Sequence, residues 1–132
     1  MFSLDEIVEP KLSYEVMSVL FKVHNKLGNR LQEKHYQKAI EEELKSRNIQ
    51  FEKEKRVDIL YEGKKIGTYF LDFVVEKKIV VETKTIPKVT KLDSDQLMSY
   101  LRQLQVKLGI IANFRTQRLA YRRVILSEKY LK

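Results

Sequence analysis

The stretch LDFVVEKKIVVETK, residues 71–84, decides how the chain folds. Its two apolar runs are rich in β-branched and aromatic residues, and a short polar segment at 76–78 separates them. Such a pattern predicts two antiparallel strands joined by a tight turn. Asp72, Glu82 and Lys84 nevertheless interrupt the runs that should build the middle of a sheet. The question is which chemistry requires three charges in that position.

Two helices are predicted ahead of these strands. Apolar residues recur at helical spacing between Ser13, a suitable N-cap, and Gly28, a suitable C-terminal stop. A second helix is predicted from about Arg30 to Arg47. Its buried side is marked by Leu31, Tyr36, Ala39, Ile40 and Leu44.

The rest of the chain is typical of a sheet with one crossover helix. Residues 50–61 and 66–75 predict the two strands of a hairpin. A helix is predicted at about 95–106, and the almost wholly apolar segment 108–114 predicts a strand covered on both faces. Because that helix separates 108–114 from the strand at 79–84, these two strands should be parallel.

The last segment, LAYRRVIL at 119–126, fits either a strand or a helix. The order of the elements predicts an α/β fold in which helices flank a central mixed β-sheet. With 132 residues, 43% of them hydrophobic, and no linker-like stretch, the chain is interpreted as a single domain over residues 1–132.

Composition narrows the class of partner. A formal net charge of +8 favours polyanions such as nucleic acid. The absence of cysteine excludes a disulfide framework, a thiol nucleophile and a cysteine-ligated zinc site. No apolar run approaches the ~20 residues that span a membrane, so we expect no membrane partner and a cytoplasmic location. One denser basic group is the predicted contact with nucleic acid: Arg115, Arg118, Arg122 and Arg123.

The three charges of the opening stretch are predicted to converge. Because strand side chains alternate, Glu82 and Lys84 share one face of their strand, and Asp72 shares a face with Phe70 and Val74. Antiparallel pairing can then bring the two carboxylates together. Two close carboxylates repel each other unless a cation lies between them, and Mg²⁺ prefers such oxygen ligands. The alternative is that these charges are the solvated ends of exposed strands.

Three further residues favour a site. Gln96 and Tyr100 are four apart on the crossover helix and therefore share a face that packs over the sheet. Glu33 lies within about 20° of the buried line of the second helix, where a lone carboxylate is costly. Ordinary helix packing would also explain Gln96 and Tyr100, and a cation at the rim of the core would also explain Glu33.

In order along the chain, Asp72, then Glu82-x-Lys84, then Gln96-x-x-x-Tyr100 resembles the PD-(D/E)XK nuclease superfamily, in particular its branch with a Q-x-x-x-Y motif. The likeness covers most of the chain, from about residue 14 to residue 114.

The N-terminal half, at 27–54, is similar to the GxxExxY proteins that are placed in this superfamily, with Glu33 and Tyr36 at the motif's Glu and Tyr. Two positions depart from the patterns: Arg30 replaces the motif's glycine, and Leu71 replaces the proline that names the superfamily.

This resemblance implies a restriction-endonuclease-like core and a Mg²⁺- or Mn²⁺-dependent nuclease, with DNA as the expected substrate. A homodimer would supply two active sites for cutting both strands. The alternative is a non-catalytic nucleic-acid-binding or interaction module that retains the fold. The implied roles are metal ligation by Asp72 and Glu82 with Glu33 as an accessory acid, catalysis by Lys84, and support by Gln96 and Tyr100.

Overall fold

The computed structural model describes residues 8–132. Within that range the chain forms three α-helices, five strands and one 3₁₀ turn. In chain order these are α1 (Pro10–Leu27), α2 (Glu33–Ser46), β1 (Phe51–Tyr61), β2 (Lys64–Val75), β3 (Ile79–Lys84), α3 (Lys91–Leu104), β4 (Leu108–Asn113), β5 (Ala120–Ile125) and the turn Glu128–Tyr130.

The five strands form one mixed sheet in the order β1-β2-β3-β4-β5. β3 and β4 are parallel, as expected for strands joined by a crossover helix, and the other neighbouring pairs are antiparallel. The last segment is a strand, because Ala120–Ile125 pairs with β4 along its whole length. The predicted α/β fold with a central mixed sheet is confirmed.

Helices cover both faces of the sheet. α1 and α2 pack on one face around Tyr36 and Phe114, whose rings stack with centroids 4.5 Å apart. α3 packs on the other face through Leu97 and Leu101. Leu31, which was predicted to mark the buried side of α2, is 40% exposed because it precedes the helix. β3 and β4 are therefore buried on both sides, which explains their nearly continuous apolar sequence.

The first two helices begin at positions other than those predicted. α1 starts at Pro10, a residue suited to a first helical turn, so Ser13 lies inside the helix and is buried. α2 starts at Glu33 because Gln32 and His35 form a reciprocal capping box at its N-terminus. The N-terminus of α2 consequently presents Glu33 in its first turn.

The crossover helix α3 begins four residues earlier than predicted, because Thr90 and Asp93 form a second capping box. It packs directly on β4 at Gly109, where an added Cβ would lie 2.7 Å from Leu97 Cδ2. This close approach draws α3 down onto the sheet. Within the described part of the chain, no helix is long and apolar enough to cross a membrane.

Candidate active site

β2 and β3 separate at the two predicted carboxylates. The last paired residues are Phe73 and Val81. One step further, the Thr83 amide donates to Asp72 Oδ2 at 2.7 Å, and the Asp72 amide donates to Glu82 Oε2 at 3.3 Å. Each carboxylate thus accepts a hydrogen bond from an amide of the neighbouring strand. Where the strands diverge, the two carboxylates therefore take the place of backbone carbonyls as hydrogen-bond acceptors.

Side chains of β2 change faces at Asp72. Leu71 belongs to the core on the α3 side, whereas Phe73 belongs to the core on the α1 and α2 side. Strict alternation would place both on one face. Opposite Asp72, Glu54 of β1 adopts a left-handed backbone conformation with φ 54°. A non-glycine residue in that conformation is unfavourable, and such positions are concentrated at functional sites.

The prediction that Phe70 and Val74 share a face with Asp72 is therefore wrong. Val74 is buried on the α3 side, while Phe70 is 57% exposed on the opposite face. The physical reason is the change of face at Asp72, which simple alternation does not anticipate.

Glu82 lies in a narrow cavity between the sheet and α3. The volume of this cavity that the centre of a water molecule can occupy is about 10 Å³, which is enough for roughly one water molecule or ion. Lys84, Gln96 and Tyr100 line it together with Glu82. The structure thus brings together four of the residues that the sequence singled out. The other lining residues are Tyr69, Asp93, Leu97 and Ile111.

The buried Glu82 carboxyl is under-satisfied. It is 5% exposed, and its Oε1 has no hydrogen-bond partner within the described chain. Burial, and next the charge of Asp72, raise its pKa to about 9, while the Lys84 charge opposes them only weakly. In the protein alone this carboxyl therefore holds a proton at neutral pH. A cation beside it would favour the ionised form instead.

Glu33 approaches the site from α2 on the other face of the sheet. Its Oε1 lies 3.3 Å from Thr83 Oγ1, and the same hydroxyl lies 2.8 Å from Asp72 Oδ2. Burial, and next the charge of Asp72, raise the pKa of Glu33. Glu33 is thus linked to Asp72 through the Thr83 hydroxyl.

Among residues 8–132, no group of three or more His, Asp or Glu side chains is arranged to hold a metal ion.

A sequence model of the PD-(D/E)XK nuclease superfamily matches residues 10–124. The chain belongs to that superfamily. The matched range includes every residue of the candidate site. A comparison with curated proteins gives no significant match.

A solved structure with the same fold is described as "Crystal structure of SSO0001". It has a TM-score of 0.54 and 22% sequence identity, and the match covers 90% of this chain. This chain spans only 62% of the length of that one. At this identity the likeness shows a shared fold and nothing further.

Sequence reasoning missed three residues of this candidate site. Thr83, within the Glu-x-Lys pattern, faces α2 and contacts both Asp72 and Glu33. Gln37 donates to Thr83 Oγ1 at 2.9 Å, and its position four residues after Glu33 on a helix could have revealed it. Tyr69 was also missed.

Tyr69 stacks on Tyr100 with ring centroids 4.1 Å apart and an interplanar angle of 14°. Burial, followed by the charge of Glu82, raises the pKa of the Tyr69 phenol. The only hint in the sequence is that Tyr69 precedes Asp72 by three positions on one strand. The aromatic pair walls the cavity beside Glu82.

The four arginines do not form one surface. Arg122 reaches Ser94 of α3, whereas Arg123 reaches Ser13 of α1 on the opposite face of the sheet. Their positions on a single strand explain the division, since adjacent strand side chains point to opposite faces. Arg118 is exposed in the loop before β5.

Arg115 lies beside the candidate site. Its guanidinium donates to the Thr85 carbonyl at 3.4 Å, directly after Lys84, and its own carbonyl accepts from Asn29 Nδ2 at 3.0 Å. Arg115 thereby connects the end of β3 with the loop that leads to Glu33. It is exposed at that junction.

Proposed function

We propose that this protein is a Mg²⁺- or Mn²⁺-dependent nuclease that hydrolyses phosphodiester bonds of nucleic acid, with DNA as the substrate. The observation that carries the proposal is the buried Oε1 of Glu82, which has no hydrogen-bond partner among residues 8–132 and lies beside Asp72 and Lys84 in a PD-(D/E)XK chain. A buried carboxyl oxygen without a hydrogen-bond partner is costly in a structural role. It is suitable for binding a cation.

The residues present fit a divalent cation. Asp72 and Glu82 would hold it, and Glu33 would serve as an accessory acid at the α2 side, since no three carboxylates among residues 8–132 are arranged as a ready ligand set. Mg²⁺ is commonly held by one or two carboxylates and keeps several waters, which suits a site with two acids in contact. A bound cation supplies polarisation of the phosphate and favours deprotonation of water.

Lys84 supplies a positive charge beside the reacting phosphate. Its charge opposes the rise in the pKa of both Glu33 and Glu82, and its side chain lines the cavity together with Glu82. Donated hydrogen bonds from this group would stabilise negative charge on phosphate oxygens in the transition state or hold the attacking water. Gln96 is exposed at the cavity and would contact substrate, whereas buried Tyr100 would fix its wall.

The electrostatic surface supports nucleic acid as the substrate class. The net charge of +8 attracts phosphate backbones at long range. Arg115 is best placed to contact a strand that enters the site, and Arg118, Arg122 and Arg123 would contact more distant phosphates. We further propose the GxxExxY branch, a cytoplasmic location and a homodimer for cutting both strands.

The second candidate is a non-catalytic nucleic-acid-binding or interaction module. The reciprocal hydrogen bonds favour it, because Asp72 and Glu82 each accept an amide of the adjacent strand and so have a purely structural use. This use leaves Glu82 Oε1 and the position of Lys84 unexplained, which is why we prefer the nuclease.

A cleavage assay separates the two. Labelled single- and double-stranded DNA and RNA would be incubated with the protein and Mg²⁺, Mn²⁺ or EDTA. We expect metal-dependent cleavage, and a loss of on the order of 10²-fold or more in kcat for Lys84→Ala with little change in binding. Lys88→Ala is the matched control, because it removes an equal charge from an exposed loop residue nearby.

Lys84→Arg refines the assignment, because it keeps the charge but cannot readily release a proton. Activity restored by arginine would identify Lys84 as an electrostatic group. If the wild type binds DNA yet cleaves none of these substrates with either metal, the binding module is the better description.

A further inference from the structure

The single hydroxyl proton of Thr83 has two carboxylate acceptors within hydrogen-bonding distance. Thr83 is 1% exposed, so no bulk water compensates its bonding. Asp72 Oδ2 lies 2.8 Å from Oγ1, and Glu33 Oε1 lies 3.3 Å from it. A hydroxyl donates one hydrogen bond, so it can serve only one of these carboxylates at a time.

Gln37 decides how the hydroxyl is used. Its Nε2 donates to Thr83 Oγ1 at 2.9 Å and lies 3.4 Å from Glu33 Oε1. The donated bond occupies the hydroxyl oxygen from the α2 side, which turns the hydroxyl proton away from Gln37. The shorter of the two carboxylate contacts is the one to Asp72, so Asp72 receives that proton.

Asp72 is therefore held more firmly than Glu33. Its Oδ2 accepts from both the amide and the hydroxyl of Thr83, at 2.7 and 2.8 Å. These two donors use the lone pairs of Oδ2 and so fix the orientation of the carboxylate. Within the described part of the chain, the hydrogen bonds of Glu33 are the longer contacts to Thr83 and Gln37.

We infer that Thr83 and Gln37 are positioning residues that fix the Asp72 carboxylate for cation binding and leave Glu33 free to adjust. The inference rests on the proposed metal-dependent function. It extends that function to a chain of contacts running from α2 to β3, none of which touches substrate. Hydrogen-bond partners of metal ligands typically contribute 10–100-fold to metal affinity or activity.

The decisive variants change the hydroxyl alone. Thr83→Val removes it while keeping the β-branched shape and the backbone amide, and Thr83→Ser restores it without the methyl group. Thr68→Val is the matched control, because Thr68 lies on β2 and its hydroxyl donates to the exposed Asp58 rather than to a residue of the candidate site. The primary measurement is the Mn²⁺ dissociation constant of metal-free protein by calorimetric titration, with kcat and KM for cleavage measured beside it.

We expect Thr83→Val to weaken Mn²⁺ binding by about 10-fold or more. Thr83→Ser and Thr68→Val should stay near the wild-type affinity, and KM should change less than kcat. Equal Mn²⁺ affinity of the wild type and Thr83→Val would overturn this inference while leaving the proposed function in place. A wild type that binds no Mn²⁺ would overturn both.

Gln37→Met provides a second test if Thr83→Val folds poorly. Gln37 is only half-buried, so methionine should be tolerated there. We expect its Mn²⁺ affinity to fall between those of the wild type and Thr83→Val. Affinity equal to that of the wild type would contradict the role of Gln37.

Discussion

The two ends of α2 use glutamate in opposite ways. Near the C-terminal end, Glu41 accepts hydrogen bonds from Lys53 at 2.9 Å and pairs with Lys45 at 3.1 Å. These bonds, led by that from Lys53, lower the pKa of Glu41 to about 2. Glu43 is paired in the same way with Lys22 and Arg47.

At the N-terminal end, Glu33 has a raised pKa, because it is partly buried and faces the charge of Asp72. Its hydrogen-bond partners are the uncharged Gln37 and Thr83. Structural carboxylates on this helix thus have cations of their own, whereas the carboxylate at the site faces other acids. Within the chain, the charge of Lys84 opposes the raised pKa of both site carboxyls only in part, and the proposed cation would supply the rest of the compensating charge.

The largest expected effect concerns the stability of metal-free protein as pH changes. The folded pKa of Glu82, about 9, lies above its ordinary value of 4.5, so the folded state holds a proton that the unfolded state has lost. Stability should therefore fall as pH rises between these values, by at most about 1.4 kcal/mol per pH unit. Glu82→Gln should remove this loss and be more stable than the wild type at pH 8. Thermal melts in EDTA at pH 5 and pH 8 would measure the difference, and equal slopes would contradict it.

Metal-dependent stabilisation should disappear in Asp72→Asn. At a free Mg²⁺ concentration 100 times the dissociation constant, binding to the folded state adds about 2.7 kcal/mol to the free energy of unfolding. Asparagine removes the charge that attracts the cation but keeps an oxygen for the Thr83 amide. Melting temperatures with and without Mg²⁺ would show a shift only in the wild type. A shift retained in Asp72→Asn would exclude this residue as a ligand.

A smaller effect with the opposite dependence on pH is expected at Glu41. Because its folded pKa is lowered, its contribution should be present above pH 4.5 and be lost as pH falls towards 2. The pairs lie near the surface, so Glu41→Gln should cost about 1 kcal/mol or less at pH 7. It should leave the response to Mg²⁺ unchanged. Chemical denaturation at pH 7 and pH 3 would test the sign.

The smallest effect concerns the arginines. Arg115→Ala should reduce the slope of log K for duplex DNA against log salt by about 0.9 if Arg115 neutralises one phosphate. Arg123→Ala should change the slope less, because that side chain is engaged with Ser13 on the opposite face from α3. Binding titrations between low and moderate salt would provide the slopes. An equal reduction of the slope in both variants would contradict the expectation that Arg115 contacts bound DNA more closely than Arg123 does.

Much of this architecture is predictable because it depends on local patterns. The turn at 76–78 and the alternation of β3 place Glu82 and Lys84 on the α3 face beside Tyr100. Strand alternation also predicts that Arg122 and Arg123 point to opposite faces of the sheet, but only once the last segment is known to be a strand.

Other features depend on contacts that no local pattern contains. The left-handed conformation of Glu54 and the change of face at Asp72 arise from how β1 and β2 fit two separate cores. Thr83 was missed because the Glu-x-Lys pattern directs attention to one face of β3, whereas its hydroxyl serves the other. The start of α3 was misplaced because Asp93 acts inside the capping box, with Thr90 as the N-cap.

The exchange of hydrogen bonds between β2 and β3 has a consequence for the order of folding. Asp72 and Glu82 are separated by only ten positions and one turn, and a hairpin closes in about 1–10 μs. Glu33 is fifty positions from Thr83 and must wait for α2 to dock. We therefore expect Asp72 and Glu82 to come into contact early in folding. The core of the candidate site would then form before α1 and α2 have docked on the sheet.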